Sequence, residues 1–211
     1  MLDIRLNSIG KRFQYDWIFK NLSLEIPKGS FCAITGSNGS GKSTLVKCIA
    51  GLTPLTEGKI EYTSEGQNIS DTEIFNFLSI SAPYMELPEE FTLLELLRFH
   101  FSFKKPINQM EHEEMMEKMY LIEHRYKPIN QFSSGMKQRL KLGLCFYSDV
   151  PLILLDEPSS NLDEKGLHWY LELIGEYGQN KTILICSNEP KEYGFCQHKI
   201  HVEDFKLKHN L

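Results

Sequence analysis

No apolar run in this chain approaches the roughly 20 residues a helix needs to cross a bilayer, which excludes an integral membrane protein of the helical kind. The opening residues Met1 to Arg5 carry neither the basic nor the apolar region of a secretory leader, so the expectation is a chain that stays in the cytosol. Cysteine pairs at C-x-x-C spacing are also missing. The five cysteines, at 32, 48, 145, 186 and 196, stand far apart, and three lie in apolar stretches; they read as buried reduced thiols rather than disulfides or metal ligands. The seven histidines are equally scattered. His198 and His201 fall three apart in an expected strand, hence on opposite faces, and read as solvated surface. Lysine and arginine form no cluster, and the formal net charge is −5. There is thus no electrostatic footprint for a nucleic-acid backbone, which weakens DNA-repair and translation-factor readings. Internal repeats, low-complexity segments and linkers are absent too. What remains, 211 residues with 41% hydrophobic and 24% charged content, is ordinary for one soluble globular domain.

The most informative segment is Gly36-Ser37-Asn38-Gly39-Ser40-Gly41-Lys42-Ser43-Thr44. It fits G-x-x-x-x-G-K-[ST] and follows the apolar run Phe31 to Ile34, as a phosphate-wrapping loop should. The glycines let backbone N–H groups close on phosphate oxygens where a Cβ would intrude. Lys42 is a compact charge for the β- and γ-phosphates, and the Ser43 hydroxyl is a ligand suited to Mg²⁺. Lys42 to Ala50 reads as a helix stopped by Gly51, with its positive N-terminal end on the same anion. A nucleoside triphosphate is the implied ligand.

Around this loop the pattern alternates between two kinds of strand. Leu2, Ile4 and Leu6, and then Leu22, Leu24 and Ile26, alternate with polar residues as half-exposed antiparallel strands do. Phe31 to Ile34, Leu152 to Leu155 and Thr182 to Cys186 are continuous apolar runs, suited to a parallel sheet covered on both faces. Strands are also expected at Ile60 to Thr63 and Leu78 to Ser81, with Ser64 to Ser70 as a loop. Thr92-Leu93-Leu94-Glu95 is a capping box opening a helix with Leu96, Leu97, Phe99 and Phe103. A second helix is expected over about Gln109 to His124, with the charge run Glu111 to Glu117 on its solvated face, and a third over Ser134 to Tyr147. A strand pair is expected around Lys199 to Lys208, leaving no room for an appended regulatory domain. Residues 84–148 then form a helical insertion between 1–83 and 149–211, which make up the α/β core.

Leu152-Ile153-Leu154-Leu155-Asp156-Glu157 is a buried strand ending in two carboxylates. Strand ends of such sheets are where ligands bind; Asp156 suits Mg²⁺, and Glu157 suits a water that attacks the γ-phosphate. Here the chain resembles the ATP-binding cassette (ABC) ATPases over essentially its whole length. Gly36 to Thr44 is similar to their Walker A, Leu152 to Glu157 to their Walker B with the adjoining glutamate, and Ser159-Ser160-Asn161-Leu162-Asp163 to their D-loop. Phe132-Ser133-Ser134-Gly135-Met136-Lys137-Gln138-Arg139 takes the place of their LSGGQ signature. The resemblance implies a P-loop NTPase (RecA-like) core with an antiparallel β-subdomain and an inserted α-helical subdomain. It also implies a head-to-tail dimer, homomeric or heteromeric, with ATP and Mg²⁺ held between one Walker A and Ser133 and Gly135 of the other subunit. It implies a transmembrane permease partner, and so a cytoplasmic chain peripheral on the membrane. The partner's coupling helix would dock at a glutamine loop, where Tyr84, Met85, Leu87 and Pro88 offer an apolar surface. The adenine-stacking aromatic of the family aligns with Phe13, with Tyr15 or Trp17 as alternatives.

The chain departs from the pattern in places. The glutamine that ligates Mg²⁺ in relatives is replaced by Pro83 or Tyr84, with Glu86 as a nearby oxygen donor. Ser134 and Met136 make the signature degenerate. The switch histidine is Asn188, whose amide donates a hydrogen bond but carries no charge. The expectation is an ATPase that transports by nucleotide-driven dimerisation, with slow turnover carried by Glu157, Asn188 and Lys42. The alternatives are a weak nucleotide switch or degenerate partner subunit and, third, a non-transport ABC ATPase.

Overall fold

The computed structural model describes residues 1–206. Two sheets organise it. Leu2–Phe13 (β1) and Asp16–Ile26 (β2) form a long hairpin, and Glu57–Ser64 (β4) and Gln67–Ile69 (β5) extend it into an antiparallel sheet of order β2-β1-β4-β5. The alternation read at Leu2, Ile4 and Leu6 is the reason: these three are buried while Asp3 and Arg5 face solvent. The stretch 64–70, expected as a loop, is instead a tight hairpin, because Glu65 and Gly66 both take positive φ (51° and 79°), the geometry that matches strand twist. Ser64 then pairs with Gln67.

The second sheet is wholly parallel. Phe31–Thr35 (β3), Leu78–Ser81 (β6), Leu152–Asp156 (β7), Thr182–Cys186 (β8) and His198–His201 (β9) lie in the order β6-β7-β8-β3-β9. The apolar runs reflect burial on both faces. Cys32, Ile34, Leu152, Leu154, Leu184 and Cys186 face helix α1 (Lys42–Ile49) and the antiparallel sheet. Ala33, Ile153, Leu155, Ile183 and Ile185 face the opposite, helical layer. Because all five strands run the same way, the C-terminal ends of β3, β6, β7 and β8 collect at one edge, the edge at which such sheets hold ligands.

The helical layer comprises Leu93–Phe103 (α2), His112–Lys118 (α3), Ser134–Phe146 (α4), Glu164–Tyr177 (α5) and the single turn Pro190–Tyr193 (α6). The capping box forms as read: Thr92 Oγ1 accepts from the Glu95 N–H at 3.3 Å, and the Glu95 carboxylate accepts from the Thr92 N–H at 2.8 Å. The second helix is shorter than the span 109–124, ending at Lys118 because Tyr120 adopts φ 57°, which a right-handed helix does not accommodate. Helix α5 was not anticipated; Asp163 caps it by accepting from the Gly166 N–H at 2.7 Å. After β9 a 3₁₀ turn, Val202–Phe205, replaces the second strand expected near residue 208, and residues 207–208 of that expectation lie outside the described ones. All five cysteines are buried and free. No helix among the described residues is long and apolar enough to cross a membrane.

Candidate nucleotide site

The loop 36–41 joins the end of β3 to the start of α1 in a conformation that glycine alone allows. Gly41 takes φ 107°, and a Cβ there would lie 2.3 Å from Ile18 Cγ2, so the β1–β2 hairpin packs directly on the loop. This brings the hairpin that ends in Phe13 to the same side, where Phe13 is half exposed and Tyr15 stands free at the tip. Trp17 differs: it packs on Gly10 between the cations of Arg12 and Lys20. Lys42, almost fully buried, donates to the carbonyls of Gly36 (2.8 Å) and Ser37 (3.2 Å). An ammonium has three donors, so the loop pre-positions Lys42 while leaving one N–H for a ligand. Ser37 to Gly39 are exposed, Ser40 is buried, and Ser43 and Thr44 open the first turn of α1.

Asp156 ends β7 beside this loop, 2% exposed. Its Oδ2 is buried without a hydrogen-bond partner among the described residues. An ionised oxygen left in that state is costly unless a cation or donor completes it. The hard oxygen set of Asp156 and the Ser43 hydroxyl is the chemistry Mg²⁺ prefers, with remaining positions left to phosphate and water. The residues therefore fit the metal. Asp156 also helps to push the neighbouring Cys186 thiol upward, after burial as the leading cause, so that sulfur stays protonated and inert.

Glu157 follows with its side chain in solvent and its backbone at φ 48°. This is an uncommon conformation for a non-glycine residue; its N–H donates to the Cys186 carbonyl at 2.8 Å. Asn188 lies on the loop after β8, and its Nδ2 donates to Asn38 Oδ1 at 2.8 Å. Residues 150 positions apart are thus joined at the phosphate loop. Ser133 caps α4 by accepting from the Met136 N–H at 3.3 Å, and a Cβ on Gly135 would lie 3.1 Å from the Asn161 carbonyl. The turn that opens α4 and the loop 159–163 therefore share one surface, and no hydrogen bond among the described residues connects Ser133 or Gly135 to the phosphate loop of the same chain.

Some residues near the site had no signal in the sequence. Gln138 Nε2 donates to the Pro158 carbonyl at 2.7 Å, tying α4 to the turn after Glu157. Glu192, 3% exposed, accepts from the Ser159 N–H at 2.9 Å and from its hydroxyl. Glu203 accepts from the Ser37 N–H at 3.2 Å and from its hydroxyl, which holds the Glu203 carboxyl below the usual range. Of the residues after β6, Pro83 is exposed and Glu86 turns toward Lys141 along a neighbouring groove. Tyr84 turns the other way. Burial first, and then the charge of Asp156, push its phenol up; it does not line the groove with Met85, Leu87 and Pro88.

A family model described as ABC transporter matches residues 19–160. The chain belongs to the ABC transporter family, among its ATP-binding subunits. This ABC ATPase is 30% identical over 191 residues to the lantibiotic transport ATP-binding protein SrtF of Streptococcus pyogenes, covering 88% of this chain and 80% of that one. It is 27% identical over 196 residues to the cytochrome c biogenesis ATP-binding export protein CcmA of Haemophilus influenzae, covering 90% and 91%. Its fold superposes on a dimeric post-hydrolysis state of the ATP-binding cassette MJ0796 bound to ADP and phosphate, with a TM-score of 0.80 at 23% identity over 97% and 99% of the two chains. The α/β cassette fold read from the motifs is therefore the fold of this family.

Proposed function

We propose that this ABC ATPase powers a transporter by closing head to tail with a second cassette around Mg·ATP and reopening after hydrolysis. The observation that carries the reading is the half-built cage. Lys42, the buried orphan oxygen of Asp156, Glu157 and the Asn188–Asn38 pair meet at one sheet edge, while Ser133 and Gly135 form a separate anion-suited helix start. A second subunit supplies what one lacks.

In this reading the glycine loop 36–44 wraps the triphosphate, Lys42 neutralises its outer phosphates and Phe13 stacks on adenine. Ser43 and Asp156 hold Mg²⁺, whose charge offsets that developing on the phosphate. Glu157 orients the attacking water and takes its proton. Asn188 donates to the γ-phosphate without a positive charge, so turnover is slow. The permease docks on a groove walled by Met85, Leu87 and Pro88 together with Phe75, Phe99 and Phe103, the last three 61%, 48% and 76% exposed. Aromatic exposure of that extent marks an interaction surface. Residues 84–148 then carry the stroke between the permease and the core segments 1–83 and 149–211, which places the chain in the cytoplasm, peripheral on the membrane. The amide at 188 equally motivates a second reading, a weakly hydrolysing switch or partner subunit.

Phosphate release and light scattering on the purified chain test both. Wild type should hydrolyse ATP, and Glu157→Gln should lower that rate about a hundredfold or more and trap a dimer with Mg·ATP that Mg·ADP does not form. A monomer under saturating Mg·ATP would overturn the cassette reading; equal rates for the two proteins would leave the switch.

A further inference from the structure

We propose that the cleft between α4 and α5, away from the phosphate loop, binds a small aromatic carboxylate. The cleft encloses about 700 Å³, within the range of small-molecule sites. Two helix faces make it. Lys165, Trp169 and Glu172 stand at i, i+4 and i+7 on α5, and Met136 and Arg139 at i and i+3 on α4, so each set shares one face. Tyr120 completes the lining. The observation that points to a ligand is the guanidinium of Arg139. Its Cζ lies 5.3 Å from the ring centroid of Tyr120 and 5.4 Å from that of Trp169, contacts that hold a planar cation in place. The indole is fixed in turn, its Nε1 donating to the Lys118 carbonyl at 2.8 Å. The rings satisfy the faces of the cation but not its edge. The nearest carboxylate oxygen among the described residues, Asp163 Oδ1, is 3.9 Å away, too far for a hydrogen bond, and it already accepts from the Gly166 N–H at 2.7 Å.

A fork of N–H donors, its side chain only 18% exposed, is thus left without a close acceptor on the wall of a cleft that opens to solvent, since Tyr120, Lys165 and Glu172 are all exposed. A carboxylate matches that fork with two parallel hydrogen bonds. The rest of the lining selects among carboxylates. Lys165, in the first turn of α5 close to Asp163, adds a second positive charge at the Arg139 end. Glu172 stands two turns further on, about 10 Å along the helix axis, and repels a second anionic group. Trp169 lies between them on the same face, and with Tyr120 and Met136 it offers aromatic and thioether contact to a flat apolar body. The ligand class is therefore an aromatic monocarboxylate. Bound there, it bridges α4, whose start carries Ser133 and Gly135, to α5.

Equilibrium dialysis of the full chain against naphthoate, read by the fluorescence of the ligand, tests this. Saturable binding of one molecule per chain is expected, with a Kd of about 1 mM or below for a ligand of that size. Naphthamide, the same ring without the charge, should bind about tenfold more weakly. Arg139→Gln should weaken naphthoate about tenfold or more, the scale of a hydrogen bond to a charged group. Because that variant also loses the ion pair with Asp163, a gain of binding is measured beside it. The linear naphthalene dicarboxylate should bind wild type about tenfold more weakly than naphthoate, and Glu172→Gln should close that gap, which a damaged fold would not do. Equal affinity for the acid and the amide would overturn the proposal and reduce the cleft to an apolar surface. Uptake that does not saturate, or that Arg139→Gln leaves unchanged, would overturn it as well, and so would a dicarboxylate that wild type and Glu172→Gln bind alike.

Discussion

His100 gives the structure a measurable acid sensitivity. It sits on α2, where its Nε2 shares a hydrogen bond with the buried Ser148 hydroxyl at 3.0 Å. Burial, and after it the charge of Lys104, pushes its imidazole down to about 4. In the unfolded chain the same ring titrates near 6.5. Above about 6.5 both states hold it neutral and the native fold keeps its full stability. As pH falls below that value the unfolded state takes up a proton that the native state refuses until about 4, so stability drops across this window. Between pH 7 and pH 5 the linkage amounts to about 2 kcal/mol. Carboxylates with lowered values, such as Glu95 and Glu203, act below the ordinary carboxylate range, and His112, which burial also lowers, contributes equally to wild type and variant. Urea unfolding at pH 7 and pH 5 reads the effect. Wild type should lose about 2 kcal/mol more than His100→Gln, which keeps a polar group opposite Ser148 but cannot titrate. Equal losses in the two proteins would refute the reasoning, showing the ring to be protonated inside the fold or solvated.

Two further outcomes follow from the geometry. Gly41→Ala forces a side chain into φ 107° and against Ile18, at roughly 2–5 kcal/mol from backbone strain and overpacking together; a thermal melt should fall by about 10 °C, and an unchanged midpoint would mean that the hairpin yields freely. Asn188→His returns an ionisable donor opposite Asn38 and should raise steady-state ATP hydrolysis about tenfold, whereas an unaltered rate would place the limit on turnover elsewhere.

Much of the molecule was legible before any coordinates. Strand β7 could be read because all five of its residues are buried, and burial on both faces writes itself as an unbroken apolar run. The start of α2 could be read because its cap is a local hydrogen-bond pair three residues apart. The errors have local causes as well. The hairpin at 64–70 was hidden because Glu65, not a residue typical of positive φ, takes that conformation. The end of α3 was hidden because Tyr120 does the same in a pattern that otherwise reads as helix.

By itself the chain determined the chemistry of its phosphate loop, the two acidic residues behind it and the alternation that sorts half-exposed from fully buried strands. These are properties of neighbours along the backbone. Only the folded arrangement decided that Asn188 reaches Asn38, that Glu192 anchors Ser159 and that Tyr84 rather than Glu86 turns to the Asp156 side. Those contacts depend on strand order and on the rotamers that packing selects, and residues 33 or 150 positions apart leave no periodic trace of either.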